Sequence, residues 1–285
     1  MKEWVDSMFS DILLTVDYDR TLTAPDSTVP QRNLEAIRYF MDHGGAFTVN
    51  TGRSMPMTRV FREKVPVNAP LLLYNGSAAY DTVRNQLTFC HTIDLDLWTV
   101  IPECMERFPD LVVEVQGLDA HYCFREDPAW DALCDNCLCA RARAFPGDDL
   151  GPFLKFSLYG TIHNDRIGDM FEGSRQELDR ITEVQKLLLQ KYGDKVEVFR
   201  SAARILDVHA KGVSKDRSAQ ELKAQLGRKT LVCIGDGEND ISMLDGADYA
   251  FCPSDAVVAD RYANVCPCAE GAVADVIYRE IPKIL

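Results

Sequence analysis

The chain has 285 residues, of which 46% are hydrophobic and 26% are charged, and it carries a formal net charge of −13. This composition is typical of a globular protein and excludes a disordered chain. The acidic balance argues against partners such as nucleic acid or an anionic membrane, which require a basic surface. A small phosphorylated ligand remains compatible with it, because a bound cation can reverse the sign locally.

No stretch approaches the roughly 18 apolar residues that cross a bilayer. The first residues, MKEWVDSMFSD, lack the apolar run that follows a basic start in a signal peptide. We therefore expect a cytoplasmic protein whose ten cysteines are thiols. Cys134, Cys137 and Cys139 form a CxxCxC cluster, but structural zinc is typically bound by four ligands in spaced pairs. Free, partly buried thiols are the preferred interpretation.

The first part of the chain alternates strand-like and helical patterns. Residues 11–17 form an apolar run that ends in an acid, which is typical of a strand buried on both faces. An amphipathic pattern over 30–43 predicts a helix, opened by a proline and ended by two glycines. Further strand-like runs lie at 46–50 and 71–74, with a helical stretch predicted between them. This rhythm predicts the crossovers of a doubly wound parallel sheet.

The spacing becomes irregular between about 81 and 203, where a long helix is predicted over 174–191. That helix opens with the capping-box pattern Ser174-x-x-Glu177. The first rhythm returns in the apolar run 230–234. We therefore predict an α/β core built from 1–80 and 204–285, interrupted by an inserted α+β domain over 81–203. Strand-like segments are predicted at 112–116, 154–162, 195–199 and 204–208.

Polar side chains follow three of the predicted core strands. Asp17 and Asp19 end the first strand, Thr51-Gly52-Arg53 follows the second, and the segment from Asp236 to Asp240 follows 230–234. Because open α/β sheets bind ligands at the carboxyl ends of their strands, we expect these groups to converge. Converging acids repel one another, and Mg²⁺, which prefers oxygen ligands, would resolve that repulsion. The pattern predicts an acid cluster, a magnesium ion and a phosphate.

Each of these residue types suits one part of phosphoryl transfer. Asp17 can attack phosphorus as a nucleophile, and Asp19 can act as general acid and then base. Thr51 can bind a phosphoryl oxygen through its hydroxyl, and Gly52 lets the backbone approach closely. A lysine would complete the charge balance.

Taken together, the motifs resemble those of the haloacid dehalogenase superfamily, in its Cof-type, sugar-phosphatase-like branch with a large cap. The similar segments cover the core and are Asp17–Leu22, Thr51–Arg53, Leu71–Gly76, Lys211–Lys215 and Gly235–Asp240.

The resemblance implies an aspartyl-phosphate mechanism with Asp17 as nucleophile and Asp19 as acid/base. It implies a metal site made by the carboxylates of Asp17 and Asp236 and the main-chain carbonyl of Asp19, with Asp240 acting mainly through water. The implied phosphate- and substrate-binding residues are Thr51, Gly52, Arg53, Asn75, Asn239 and a lysine, for which Lys215 is favoured over Lys211.

Two positions depart from the family pattern. Position 20 is usually glycine but is Arg20 here, and Asp216 replaces the glycine that commonly follows the motif lysine. Neither change removes a reacting group, so the departures concern turn geometry and substrate choice. Arg20 either reaches a substrate group or is solvated.

The leading hypothesis is a Mg²⁺-dependent phosphatase acting on a small phosphorylated metabolite, with a sugar phosphate favoured. The alternatives are a sugar phosphomutase of the same superfamily and a non-catalytic binding module on this scaffold. The TGR segment favours hydrolysis over mutase chemistry, and the intact reacting positions argue against a binding module. The substrate and oligomeric state are not encoded in any motif. Five residues within 81–203 could face the site, although surface positions are favoured for each: His121, Arg125, Trp130, Arg141 and Arg143.

Overall fold

The computed structural model describes residues 7–136, 139–160 and 172–285. Its strands are β1 (Ile12–Val16), β2 (Ala46–Val49), β3 (Leu71–Leu73), β4 (Ala78–Asp81), β5 (Gln86–Cys90), β6 (Val112–Gln116), β7 (His121–Cys123), β8 (Arg141–Arg143), β9 (Lys155–Tyr159), β10 (Val196–Ala202), β11 (Ile205–Ala210), β12 (Thr230–Ile234), β13 (Tyr249–Pro253) and β14 (Ala263–Val265). Its α-helices are α1 (Gln31–Asp42), α2 (Leu97–Arg107), α3 (Pro128–Asn136), α4 (Arg175–Tyr192), α5 (Lys215–Gln225), α6 (Ile241–Asp245) and α7 (Ala272–Asp275).

A parallel sheet forms the centre of the first unit of the fold, in the order β14-β13-β12-β1-β2. Every residue of β1 and β2 is buried, as expected for strands covered on both faces. An isolated parallel bridge between Asn50 and Leu72 places β3 next to the end of β2. The predicted fold class, a doubly wound parallel sheet with additional α+β structure, is confirmed.

The helical stretch predicted between β2 and β3 is wrong in extent. The chain forms only a short 3-10 turn there, Pro56–Val60. Two further prolines, Pro66 and Pro70, follow it, and proline cannot continue a helix because it lacks a backbone N–H.

The described residues divide into two compact units. The first contains the residues up to Gly52 together with Arg62–Phe89 and Ser214–Leu285, and the second contains Arg53–Phe61 and Cys90–Val213. These boundaries differ from the sequence-based ones at 80/81 and 203/204.

Strand pairing explains the difference. The strand β4 pairs with β3, and β5 continues the same sheet, so residues up to Phe89 remain with the first unit. The strand β11 pairs with β10 and β9, so residues up to Val213 belong to the second unit. The local pattern of a strand does not specify its partner.

The second unit is built on a six-stranded sheet in the order β10-β11-β9-β6-β7-β8. Its apolar face packs against α2 and α4 through side chains such as Ile101, Val184 and Phe156. On the other face, Trp130 and Leu133 of α3 pack beside Val112. The helix α4 begins after Ser174 with the predicted capping box formed in both directions.

In the described part of the chain, no helix is both long enough and apolar enough to cross a membrane. Cys134 and Cys139 are both buried. Cys137, the middle member of the predicted cluster, and the end of the predicted strand 154–162 lie outside the described residues.

Candidate active site

The pairing of β1 with β12 brings two of the predicted acidic segments together. Val16 and Ile234 are register partners at the ends of these strands, and the Asp17 N–H donates to the Ile234 carbonyl at 2.9 Å. Asp17 and Asp236 therefore follow adjacent strand ends at one edge of the sheet. The Asp17 side chain is buried, with a relative exposure of 5%.

Lys215 binds two of the acids at this edge. Its Nζ donates to Asp17 Oδ1 and to Asp240 Oδ1, each at 2.6 Å, and the residue is 1% exposed. It is the first residue of α5, whose N-cap Ser214 accepts a hydrogen bond from the Arg217 N–H. Although burial disfavours the ammonium, the two carboxylates outweigh it and raise the pKa of Lys215 above its usual value.

Lys211, the other candidate lysine, lies elsewhere. Its side chain is half exposed and pairs with Glu197 at 3.1 Å in the second unit. The structure therefore brings Lys215, and not Lys211, to the acid cluster.

Asp240 and Asp236 have different surroundings. The Oδ2 atom of Asp240 accepts hydrogen bonds from the N–H groups of Asp236 and Gly237, both at 3.0 Å, while its Oδ1 accepts from Lys215. Asp236 is only partly buried, and its Oδ1 accepts from the Thr21 hydroxyl at 2.9 Å. Both oxygens of Asp240 are thus used in holding the loop, which suits an indirect role toward a cation.

The acids outnumber the cation among these residues, and the pKa values reflect this. Burial raises the pKa of Asp17 well above its usual value, and the neighbouring carboxylates add to the effect against the influence of Lys215. Burial and Asp240 also raise the pKa of Asp236, to about 6. The cluster has an excess of negative charge that a bound cation would relieve.

The donor set fits a hard cation. Carboxylate oxygens of Asp17, Asp236 and Asp240 all lie within 4.8 Å of one another. An all-oxygen set suits Mg²⁺ or Ca²⁺ rather than a soft metal.

Asp19 and Arg20 form a tight turn after the first strand. Asp19 is extended (φ −77°, ψ 125°) and half-buried, so its carboxyl group is partly accessible. Arg20 is exposed and has φ 60°, ψ 9°, in the left-handed region that favours glycine. Arg20 therefore has a backbone conformation that suits the glycine usual at this position in the family. An arginine is strained in this conformation because it carries a Cβ. Its N–H donates to the Thr23 hydroxyl at 3.1 Å.

Thr51, Gly52 and Asn75 lie together after β2 and β3. The Thr51 N–H donates to the Leu72 carbonyl at 2.9 Å, and the Asn75 N–H donates to the Thr51 carbonyl at 3.0 Å. A Cβ at position 52 would lie 2.8 Å from Asn75 Oδ1, so this close approach requires glycine. Asn75 itself adopts φ 54°.

For two predicted site residues, Arg53 and Asn239, only burial and position in the chain can be described. Arg53 is half-buried and is the first residue beyond Gly52 that groups with the second unit. Asn239 is exposed in the loop between Asp236 and Asp240.

Three residues near the site were not among the predicted site residues. Thr21 orients Asp236, and Asn50 Nδ2 donates to the Lys215 carbonyl at 2.9 Å at the start of α5. Ser54, which follows Arg53 in the chain, is fully buried and bonds to His121 within the second unit, a pairing that no local sequence signal reveals. Thr21 and Asn50 flank the predicted segments directly, so their proximity could have been inferred.

The expected surface positions of His121 and Trp130 are wrong. Both are buried around Glu114, which accepts hydrogen bonds from Trp130 Nε1 at 2.5 Å, from Tyr159 Oη at 2.5 Å and from Gln116 Nε2 at 2.7 Å. Burial opposes ionisation of Glu114, but His121 and the other donors outweigh it and lower the Glu114 pKa to about 2. All five residues of β6 are buried, so the face that carries Glu114 is covered.

Cys134 lies close enough to Glu114 and His121 for the three to form a possible metal-binding group. However, the Glu114 oxygens already accept from three neutral donors and face the His121 ring at 3.4 Å. A cation would have to displace these contacts, so hydrogen bonding accounts for the arrangement.

Comparisons with known proteins agree with the fold and the motifs. The family profile of haloacid dehalogenase-like hydrolases matches residues 14–259. The chain therefore belongs to the haloacid dehalogenase-like hydrolase family, as its Cof-type motifs indicated, and the expected enzyme class, a HAD-type phosphatase, is confirmed.

Individual relatives are distant. A putative phosphatase of Buchnera aphidicola subsp. Baizongia pistaciae is 22% identical over 235 residues, covering 82% of each chain. The 5-amino-6-(5-phospho-D-ribitylamino)uracil phosphatase YwtE of Bacillus subtilis is 23% identical over 259 residues, covering 86% of this chain and 88% of its own.

Solved structures share the fold. A haloacid dehalogenase-like hydrolase from B. subtilis superposes with a TM-score of 0.77 at 18% identity, covering 94% of this chain and 99% of that one. A HAD subclass IIB sugar phosphatase superposes with a TM-score of 0.74 at 17% identity, covering 96% and 99%.

Proposed function

We propose that the protein is a Mg²⁺-dependent phosphatase that hydrolyses a small phosphorylated metabolite, a sugar phosphate in preference, through an aspartyl-phosphate on Asp17. The observation that carries the proposal is the cluster at the strand ends, in which Asp17 and Asp240 bind the Lys215 ammonium and the Asp236 carboxylate lies within 4.8 Å of theirs. Family membership and relatives named as phosphatases support the reaction class, and a structural neighbour described as a sugar phosphatase supports the substrate class.

In the proposed first step, an oxygen of Asp17 attacks phosphorus and the ester oxygen leaves. Asp19, two residues further on and partly accessible, donates a proton to the leaving oxygen. Lys215 holds the Asp17 carboxylate through Oδ1, which fixes the orientation of the other oxygen. Thr51 and Gly52 bind the phosphoryl oxygens, with the glycine allowing close approach of the backbone.

In the second step, Asp19 removes a proton from water, whose oxygen attacks phosphorus and releases inorganic phosphate and the Asp17 carboxylate. The cation would be held by the carboxylates of Asp17 and Asp236 and the Asp19 carbonyl, with Asp240 contributing through water. When bound, Mg²⁺ neutralises negative charge on the phosphoryl group and the acids.

The metal dependence is tested by hydrolysis of p-nitrophenyl phosphate with Mg²⁺, with Ca²⁺ and with EDTA. We expect activity with Mg²⁺ only, since Ca²⁺ takes more ligands at longer distances. The Asp236→Asn variant should raise the Mg²⁺ concentration for half-maximal activity more than Asp240→Asn does, because both Asp240 oxygens already have protein partners. Full activity in EDTA would refute the proposal.

The inserted segment is proposed to be the cap that selects the ester. Substitutions within Cys90–Val213 should then change the preference within a panel of phosphorylated sugars, nucleotides and vitamins, while the requirement for Asp17 stays. A panel in which no cap substitution alters preference would contradict this assignment.

A further inference from the structure

Three buried side chains of the second unit form a chain of contacts that ends at the segment following Thr51 and Gly52. The Oγ atom of Ser54 lies 2.6 Å from His121 Nε2, and His121 Nδ1 lies 3.4 Å from Glu114 Oε1. The relative exposures of Ser54, His121 and Glu114 are 0%, 4% and 1%. Neither the acid cluster nor the proposed reaction uses any of the three.

Glu114 fixes the orientation of the His121 ring on the side away from Ser54. Glu114 is held by three donors, namely Trp130 of α3, Tyr159 of β9 and Gln116 of its own strand β6. Because a carboxylate can only accept, the His121 Nδ1 that faces it carries a proton. Nε2 then bonds to the Ser54 hydroxyl, accepting from it when the ring is neutral and donating to it when the ring is protonated, and rotating the ring would break both contacts.

Ser54 is fixed through its backbone as well. Its carbonyl accepts from the Met57 N–H at 3.1 Å, at the start of the turn Pro56–Val60. Only one residue, Arg53, separates Ser54 from Gly52. Since a residue spans at most about 3.6 Å, the anchor at Ser54 restricts where Gly52 and Thr51 can lie.

We propose that Glu114, His121 and Ser54 are positioning residues for the phosphate-binding segment Thr51–Arg53. This inference rests on the proposed function, which assigns that segment to the phosphate. The ligand concerned is the phosphoryl group common to all substrates of the enzyme, or inorganic phosphate, and not the variable part of the ester.

The same order of groups, serine, histidine and carboxylate, also activates the nucleophile of serine hydrolases. Here the Ser54 side chain is completely buried, so a substrate carbonyl has no access to its hydroxyl. A positioning role is consistent with that burial, whereas a nucleophilic role requires an exposed oxygen.

The experiment measures phosphate binding directly, so that it does not depend on turnover. Radiolabelled inorganic phosphate is equilibrated by dialysis against the full chain in Mg²⁺ buffer. We expect Ser54→Ala and His121→Ala each to weaken phosphate binding by about fivefold or more. The double variant should bind no more weakly than the weaker single one, because both changes break the same contact.

The matched control is Ser157→Ala. Ser157 is also fully buried in the second unit. Its hydroxyl donates to Asp207 Oδ1 at 2.7 Å and accepts from Gln116 Nε2 at 3.2 Å, so its loss removes a buried hydroxyl while leaving the contact between Ser54 and His121 in place. We expect this variant to lose thermal stability but to bind phosphate as the wild type does. If His121→Ala fails to fold, the comparison of Ser54→Ala with Ser157→Ala decides the question.

Unchanged phosphate affinity in folded Ser54→Ala would overturn the inference, as would an equal loss in Ser157→Ala. Hydrolysis of p-nitrophenyl phosphate by the wild type separates the two proposals. A wild type without turnover, whose phosphate binding still depends on Ser54, would refute the proposed function and support the positioning role. A wild type that turns over, but whose phosphate binding does not depend on Ser54, would support the proposed function and refute the positioning role.

Discussion

Both units bury a cluster of charged side chains, but only the cluster in the first unit is unbalanced. There, among the described residues, Asp17 and Asp240 share the ammonium of Lys215, and the Asp236 carboxylate lies within 4.8 Å of both carboxylates. The pKa values of Asp17 and Asp236 are raised, so ionisation of these groups is opposed by their surroundings.

In the second unit, the acids are matched by cations or neutral donors. Lys155 pairs with Asp207 at 2.7 Å, and Glu114 faces His121. Although burial acts against them, these partners lower the pKa values of both carboxylates, that of Glu114 to about 2.

The difference indicates which cluster requires an external ion. A buried acid with its own partners is complete within the protein, whereas surplus acids are costly until a cation arrives. Perturbed acids at the ends of parallel strands are typical of a functional site. Charge balance, and not the mere presence of buried charge, therefore distinguishes the candidate active site from the internal network.

The same substitution in the two clusters should have opposite consequences. Asp17→Asn should reduce turnover by about four orders of magnitude or more, since an amide is a poor nucleophile. Its stability in EDTA should be equal to or above that of the wild type, because one surplus charge is removed. Asp207→Asn should instead destabilise the fold by about 3–5 kcal/mol, since it leaves Lys155 without its charge partner. The rate of turnover and the unfolding free energy from chemical denaturation, measured for both variants, test these two predictions.

A similar contrast applies to the two lysines before and within α5. Lys215→Met should destabilise the protein by about 3–5 kcal/mol in EDTA, because it leaves the buried carboxylates of Asp17 and Asp240 without their cation. Lys211→Met should cost less than about 1 kcal/mol, since its pair with Glu197 is largely exposed. Urea denaturation of both variants provides the measurement. Equal losses would mean that the acid cluster does not depend on Lys215.

The two clusters should also respond differently to pH. The folded-state pKa of Asp236 is about 6, above its ordinary value of 3.8, so protonation favours the folded state. In metal-free buffer the unfolding free energy should therefore rise, by about 1 kcal/mol, as the pH falls from 7 to 5.

Below pH 4.5 the second unit should reverse this trend. Glu114 has a folded-state pKa of about 2 against an ordinary 4.5, so its stabilisation is present above pH 4.5 and is lost as the pH falls toward 2. Saturating Mg²⁺ should abolish the rise between pH 7 and 5 while leaving the acid loss in place. Denaturation curves at several pH values, with and without Mg²⁺, check both parts.

The smallest expected effect concerns the turn at Arg20. Arg20→Gly should stabilise the protein by about 1 kcal/mol, because glycine adopts φ 60° without the penalty that a side chain incurs. Arg20→Ala removes the charge but keeps the strain, so it serves as the control. A glycine variant no more stable than the alanine variant would show that the turn is not strained.

The sequence predicted the core of the site because its signals are local. Apolar runs ending in Asp17 or Asp236 mark both the strand and its functional end, and parallel pairing then brings those ends together. The domain boundaries could not be predicted in this way, since β5 and β11 have ordinary strand patterns and only their distant partners assign them to a unit. Ser54 and His121 likewise meet across 67 positions, which no local pattern encodes.

The central claim is a covalent phosphoryl group on Asp17, and trapping it is the most direct test. The wild type is mixed with p-nitrophenyl phosphate and Mg²⁺, quenched in acid and treated with borohydride, which reduces an aspartyl-phosphate to homoserine. Peptide mass spectrometry should then find homoserine at position 17, and none in Asp17→Asn. An active enzyme that yields no homoserine, or yields it at Asp19 instead, would contradict the account.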